Sequence, residues 1–86
     1  MIKFIEQYIN KITLNDIVNF ADKNNISIDK YTSQIIYFYI KNYWYDLLYK
    51  DSNSILNKLK KEINLDIYNK IEKLFYFYKN KYKDYL

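Results

Sequence analysis

The chain has 86 residues, half of them hydrophobic, and its 14 lysines and 10 carboxylates give a formal net charge of +4. This length permits one hydrophobic core and a radius of gyration of about 12 Å. Because cysteine and histidine are absent, the composition excludes disulfides, the usual zinc sites and imidazole acid-base catalysis. The absence of glycine also excludes the glycine-rich loops that bind nucleotide phosphates.

Apolar residues recur at helical spacing along the chain, which predicts an all-α fold. We expect one compact domain over residues 1–86, a bundle of four to five helices with short turns capped by Asn, Ser or Asp. β-Structure is disfavoured, although Ile, Tyr and Phe favour strands, because tight hairpins depend on glycine. The predicted helices cover residues 2–11, 14–24, 28–49, 54–62 and 65–83.

Polar residues mark several of the predicted helix ends. Thr13 is expected to cap the second helix by accepting the backbone N–H three residues later. Asn24 and Asn25 are expected to close the same helix, because asparagine tolerates the left-handed conformation found after helix ends. The cluster at 51–54 precedes the fourth helix, and Asn64 is expected to cap the fifth.

The third predicted helix is apolar on most of its sides, which is typical of a central helix. Ser27 is expected to cap it, with Asp29 in the first turn, where a negative charge suits the helix dipole. An unbroken helix from Ile28 to Tyr49 would be about 33 Å long. Since this length approaches the diameter of the whole domain, we expect a break or kink near Asn42.

Five aromatic residues fall outside the predicted core faces of the third and fifth helices: Tyr37, Phe38, Tyr45, Tyr76 and Phe77. They indicate either a core wider than the stripes or a surface covered by another chain, because aromatic residues are enriched at interfaces. On the fifth helix Leu74 is expected in the core, Phe77 near it, and Tyr76 on the surface.

Two segments of the chain resemble a family of small uncharacterised bacterial helical proteins, catalogued as a domain of unknown function. They are INKITLNDIVNFADKNNISID (Ile9–Asp29) and, after an apolar helix, the basic segment that closes on IYNKIEKLF (Ile67–Phe75). The shared features are the I-x-x-I-T cap, the N-N-I-S turn and the L-F pair on a terminal helix. The chain departs from the family in its many tyrosines and in Trp44. The resemblance implies a helical fold and, because no activity is attached to the family, no functional residue.

The carboxylates indicate no catalytic site. Asp16, Asp29 and Asp66 lie in first turns of predicted helices, and Asp46 has the spacing of an ion pair with Lys50. An active site needs a perturbed acid-base pair in a pocket. We therefore expect no enzyme activity, no cofactor, no metal and no small-molecule substrate.

Eight lysines lie between residues 58 and 83, against three carboxylates: Lys58, Lys60, Lys61, Lys70, Lys73, Lys79, Lys81 and Lys83. They are candidate phosphate contacts for nonspecific binding of nucleic acid or a ribosome. Without arginine they lack the bidentate fork that reads guanine. In the last helix they flank the apolar face on both sides, as on an ordinary solvated helix. The AT-rich codons of lysine and tyrosine offer a genomic explanation for both residues.

The most favoured function is a non-catalytic protein-protein interaction module, with a protein partner or a second copy of the chain as ligand. Nonspecific association with nucleic acid or a ribosome is the alternative. The longest uncharged run, residues 31–40, is too short to cross a membrane. Lys3 and Glu6 interrupt any secretory segment, so we expect a cytoplasmic protein.

Overall fold

Five α-helices account for most of the molecule. The computed structural model describes residues 2–86, so Met1 of the predicted domain lies outside the described residues. The helices are α1 (Ile2–Lys11), α2 (Leu14–Lys23), α3 (Lys30–Tyr49), α4 (Ser52–Lys60) and α5 (Leu65–Lys81), followed by a 3₁₀ turn (Lys83–Tyr85). Residues 2–86 contain no strand and have a radius of gyration of 12.4 Å. The all-α prediction is confirmed.

Both ends of α2 confirm the predicted caps. The Thr13 hydroxyl accepts the N–H of Asp16 at 3.2 Å, and the Asp16 carboxylate accepts the N–H of Thr13 at 2.9 Å, which is a capping box. At the other end Asn25 has a φ of 61°, in the left-handed region. The N–H of Ile26 then donates to the carbonyl of Ala21 at 2.8 Å. This closing turn places Ile26 in the core, where it is 5% exposed.

The predicted cap of α3 at Ser27 is wrong, and Asp29 takes that role. Its Oδ1 accepts the N–H of Thr32 at 2.7 Å, and α3 begins at Lys30. Because Ile26 is buried, residues 26–29 form a non-helical link across the surface of the core, and the helix starts later than expected. The hydrogen bond from Thr32 lowers the pKa of the Asp29 carboxyl.

The predicted break near Asn42 is also wrong, because α3 runs unbroken over 20 residues. Its length of about 30 Å fits within the longest dimension of the molecule, 32 Å. No proline or glycine interrupts it, and the Asn42 side chain donates within the helix to the carbonyl of Phe38 at 2.8 Å. Contacts with α1, α2 and α4 confirm that α3 is the central helix.

The last two helices begin at polar caps. Asp51 caps α4 by accepting the N–H of Ser54 at 3.2 Å, so α4 starts at Ser52, two residues earlier than predicted, and ends at Lys60. Asn64 caps α5 as predicted. The helix ends at residue 81 and the 3₁₀ turn follows, where a helix to residue 83 was predicted.

A buried cluster joins α3, α4 and α5: Tyr39, Leu47, Ile55, Leu56, Leu59 and Tyr68. Tyr68 is the most deeply buried of them, with 1% of its surface exposed, whereas Leu74, predicted in the core, is half-buried. The buried side of α5 is therefore centred near Tyr68. Among the helices of residues 2–86, none has both the length and the apolar character needed to cross a membrane.

Candidate protein-interaction surface

The exposed side of α3 carries aromatic and amide side chains. Apart from Lys30 at its start, the exposed residues of α3 are Tyr31, Gln34, Phe38, Asn42 and Tyr45, which we call the α3 face. Intervals of three or four residues place them on one side of the helix. Tyr31 is 69% exposed, Phe38 54% and Tyr45 41%. Three aromatic rings and two amides thus share one helix face without a charged group among them.

Neighbouring rings contact two of the three aromatic side chains of this face, Phe38 and Tyr45. The Phe38 ring lies 5.9 Å from the Tyr39 ring and 6.3 Å from the Tyr43 ring, both edge to face. The Tyr45 ring lies 5.8 Å from the Trp44 ring and 5.2 Å from the Tyr49 ring. These are favourable aromatic geometries, and they stabilise the positions of the Phe38 and Tyr45 rings.

Lys41 borders the α3 face, but its ammonium group is bound to α1. Its Nζ donates to the carbonyls of Ile9 at 2.6 Å and Asn10 at 3.0 Å, in the last turn of α1, where a cation also favours the helix dipole. The same Nζ lies 5.4 Å from the centre of the Tyr37 ring. Lys41 of α3 therefore binds the C-terminal end of α1.

A depression of about 180 Å³ opens beside the α3 face, lined by Tyr31, Gln34, Ile35, Phe38, Tyr39 and Glu62. At its edge the Tyr39 hydroxyl donates to the Glu62 carboxylate, which ties α3 to the connection between α4 and α5. Burial of the ring, and then the hydrogen bond to Glu62, raise the pKa of Tyr39 to about 12. At neutral pH this hydroxyl therefore stays protonated and keeps donating.

The five aromatic residues predicted as a partner surface do not form one surface. Phe38 and Tyr45 lie on the α3 face, whereas Tyr37 is half-buried beside Lys41. For the two residues of α5, Tyr76 and Phe77, the structure shows the reverse of the predicted burial. Tyr76 is half-buried, packs against the core and donates to Asn53 Oδ1 at 2.7 Å, while Phe77 is 59% exposed.

Sequence reasoning missed Tyr31, one of the most exposed aromatic residues of the chain. The signal was present in its spacing, because Tyr31, Phe38 and Tyr45 are seven residues apart, and residues at this interval recur on one side of a helix. On a helical wheel this spacing does not stand out, because β-branched and aromatic residues also occupy the other sides of α3.

The predicted phosphate contacts are mostly exposed, with one exception. Lys79 is half-buried, and its Nζ donates to the carbonyl of Leu47 at 2.9 Å and lies 5.5 Å from the centre of the Phe75 ring. Lys58 and Lys60 extend over rings of α3 and α5. The other exposed lysines of the set are Lys61, Lys70, Lys73, Lys81 and Lys83. Several of these side chains therefore also cover aromatic surface, as long lysine stems commonly do.

A second group of rings, with Phe77 and Tyr82 exposed and Tyr78 half-buried, surrounds Lys81 at the end of α5. Its Nζ lies 5.5 to 6.0 Å from the ring centres of Phe77, Tyr78 and Tyr82, and Tyr78 stacks on Tyr82 at 6.3 Å with an angle of 5°. Tyr78 also lies 5.7 Å from Phe20 of α2. We call Phe77, Tyr78, Lys81 and Tyr82 the C-terminal cluster. It differs from the α3 face in having a charge at its centre.

The fold and the α3 face define a small five-helix protein with an uncharged aromatic surface on its central helix. The chain belongs to the family described as "Protein of unknown function (DUF2624)", whose model matches residues 1–79. The resemblance to a family of unknown function is thereby confirmed, and a bacterial source stays a prediction. No curated protein and no solved structure gave a significant match. The matched region contains all of α3.

Proposed function

We propose that this protein is a non-catalytic protein-interaction module and that the α3 face is its binding site. The observation that carries the proposal is the composition of that face, with three exposed aromatic rings, two amides and no charge. The buried centre of a protein interface is depleted of charged residues and enriched in aromatic ones. A helix face that only meets solvent usually carries charges, as the exposed lysines of α5 illustrate.

The size of the α3 face supports a contact with one further helix or a similarly narrow element. With about 200 Å² for each aromatic side chain, the exposed fractions of Tyr31, Phe38 and Tyr45 amount to roughly 300 Å². Patches of about 300 to 600 Å² are the largest on typical monomers and are often functional. An amphipathic helix that places apolar residues at intervals of three and four would match the spacing of this face.

The perturbed ionisable groups support a non-catalytic role. The pKa of Tyr68 is raised by burial and then by its hydrogen bond to Glu72 at 2.6 Å, as that of Tyr39 is raised by burial and Glu62. A raised pKa keeps a tyrosine neutral, whereas a catalytic base needs a pKa close to the working pH. Both tyrosines lie in the core cluster, so a structural role accounts for them.

The test compares two glutamate variants at equally exposed phenylalanines. Phe38→Glu places a charge at the centre of the α3 face, and Phe77→Glu places the same charge on α5, where the exposed fraction is 59% against 54% for Phe38. Each protein, immobilised, is offered to extract of the source cells, and the bound proteins are measured. We expect Phe38→Glu to lower the affinity for a bound protein at least 30-fold or so, because a central aromatic residue contributes about 2 kcal/mol or more.

The control variant should bind as the unchanged protein does. Equal capture by all three proteins would contradict the assignment of the α3 face. An equal loss of captured protein in both variants would show that net charge, and not the α3 face, determines binding.

Nonspecific binding of nucleic acid is the second candidate function, and the C-terminal cluster is the observation that favours it. Single strands stack on exposed aromatic rings next to cations, and Phe77, Tyr78 and Tyr82 surround Lys81. Two observations weaken this candidate. Lys79 is occupied by the carbonyl of Leu47, and the chain contains no arginine.

The salt dependence of binding tests this candidate. Affinity for DNA should fall with a log-log slope of about 0.7 to 0.9 per phosphate contact, and the triple variant Lys60→Glu, Lys61→Glu, Lys73→Glu should weaken binding and flatten the slope. A matched triple variant changes three exposed lysines outside residues 58–83, namely Lys3, Lys11 and Lys23, and should leave the slope unchanged. No binding at about 50 mM salt, where the electrostatic contribution is strong, would exclude the candidate.

A further inference from the structure

The order of residues on the α3 face is the same from either end. Phe38 is at the centre, an amide lies four residues away on each side (Gln34 and Asn42), and a tyrosine lies seven residues away on each side (Tyr31 and Tyr45). In a contact between two identical surfaces related by a twofold axis, residue i of one copy meets residue j of the other and the reverse. With this order such a contact pairs rings with rings and amides with amides, so the α3 face is complementary to itself in an antiparallel arrangement.

We propose that the partner of the α3 face is a second copy of this chain, bound antiparallel with the twofold axis beside Phe38. This inference rests on the proposed function, since it names the ligand of the same surface. In this pairing the two Phe38 rings meet at the axis. Tyr31 of each copy comes to the level of Tyr45 of the other, and Gln34 to the level of Asn42.

Charge on the rest of the molecule favours this face over others for self-association. Two copies that each carry a net charge of +4 repel one another over most orientations. The α3 face lacks charge, and the adjacent Lys41 is held by the carbonyls of Ile9 and Asn10. Pairing through the α3 face therefore places no exposed lysine at the centre of the contact.

Hydrogen bonding and shape are compatible with the same pairing. Asn42 Nδ2 is used within α3, by the carbonyl of Phe38, which leaves Oδ1 to accept from the amide of Gln34 of the second copy. The depression beside Tyr31 and Phe38 lies at the level of Asn42 of the second copy. Side chains on a helix lean toward its N-terminus, so Tyr45 of the second copy leans over the same depression.

The area of the contact predicts a weak dimer. Two α3 faces contribute roughly 600 Å² of aromatic surface by the estimate above, and the flanking side chains add to it. This total is at the low end for specific protein interfaces, below about 1,200 Å². Self-association should therefore depend on concentration over the micromolar to millimolar range.

Sedimentation equilibrium tests the proposal, with a concentration series that reaches about 1 mM. The average molar mass of the unchanged chain should rise with concentration from that of a monomer toward that of a dimer and no further. Phe38→Glu should weaken the dimer at least 100-fold or so, since each dimer carries the change twice, and Phe77→Glu should behave as the unchanged chain. A mass of one copy throughout, or equal weakening by both variants, would overturn the proposal.

Cysteine pairs test the antiparallel register, because the natural chain has no cysteine. Gln34→Cys and Asn42→Cys chains, mixed and mildly oxidised, should form a disulfide between unlike chains. Each variant alone should form little, since like positions lie eight residues apart in the antiparallel pair, about 12 Å along the axis. Efficient oxidation of Gln34→Cys with itself would indicate parallel pairing and overturn the proposed register.

The two proposals fail in different ways. If the unchanged chain stays monomeric while another protein is captured through Phe38, the dimer proposal is wrong, but the α3 face is still the binding site. If neither association nor capture depends on Phe38, both proposals fall.

Discussion

The orientation of α5 is tested by two adjacent residues, Tyr76 and Phe77. In Tyr76→Ala the packing of the half-buried ring against the core cluster is lost, together with its hydrogen bond to Asn53. A net hydrogen bond contributes about 1 kcal/mol, and a partly buried ring contributes less than the 3 to 5 kcal/mol or so of a fully buried one. We therefore expect Tyr76→Ala to lower the free energy of unfolding by about 2 to 3 kcal/mol, against less than about 1 kcal/mol for Phe77→Ala.

Urea unfolding followed by circular dichroism measures this difference, and thermal melts measure it again. The expected loss for Tyr76→Ala corresponds to a decrease of roughly 8 to 24 °C in melting temperature for a domain of this size. Tyr76→Phe isolates the hydroxyl and should cost about 1 kcal/mol or less. A cost for Phe77→Ala equal to or above that for Tyr76→Ala would refute the orientation of α5.

Three further changes test other contacts of the fold. The pKa of Tyr39 rises from 10.0 to about 12 on folding, so its stabilising contribution is complete below pH 10 and is lost as the pH rises toward 12. Over this pH range the urea midpoint of Tyr39→Phe should therefore fall less than that of the unchanged protein. Equal decreases in the two proteins would contradict the hydrogen bond between Tyr39 and Glu62. At neutral pH, Asp29→Ala should lower the melting temperature more than Ser27→Ala. Because folding lowers the pKa of Asp29 from 3.8, the difference should be complete above that pH and should shrink as the pH falls through the lower pKa of the folded state. Lys41→Met should speed amide hydrogen exchange in α1, whose last carbonyls it binds; unchanged exchange would show that α1 is held by other contacts.

Features decided by a few adjacent residues could be predicted from the sequence. The Thr13 cap, the left-handed Asn25 and the Asn64 cap each depend on residues close together in the chain, and the structure confirms them. The start of α3 could not be predicted in this way. It depends on the burial of Ile26 in the core, which the local sequence does not show, and the helix cap then falls at Asp29, three residues further on.

The orientation of α5 escaped sequence reasoning for a similar reason. The broad apolar stripe has Leu74 near one edge and Tyr68 near the other, about 120° apart around the helix, and the pattern does not decide which edge is buried more deeply. Packing against α4 selects the Tyr68 edge and leaves Tyr68 1% exposed. Phe77 follows Tyr68 by nine residues, or two and a half turns at about 3.6 residues per turn, so it lies on the opposite side.

The α3 face could be predicted in part. Phe38 and Tyr45 were found because they fall outside the apolar stripe, but Tyr31 and the two amides become visible as one surface only when the helix is known to be unbroken. The expected kink near Asn42 would have divided that surface into two short pieces. The continuity of α3 therefore determines both the fold and the candidate site.

Photocrosslinking in living source cells tests the central claim, that the α3 face contacts a protein, most directly. The photoreactive residue p-benzoylphenylalanine replaces Phe38 in one strain and Phe77 in a second, and covalent products are resolved by mass after irradiation. We predict a discrete protein adduct from position 38 and none, or a much weaker one, from position 77. No adduct from position 38, or equal adducts from both positions, would contradict the claim.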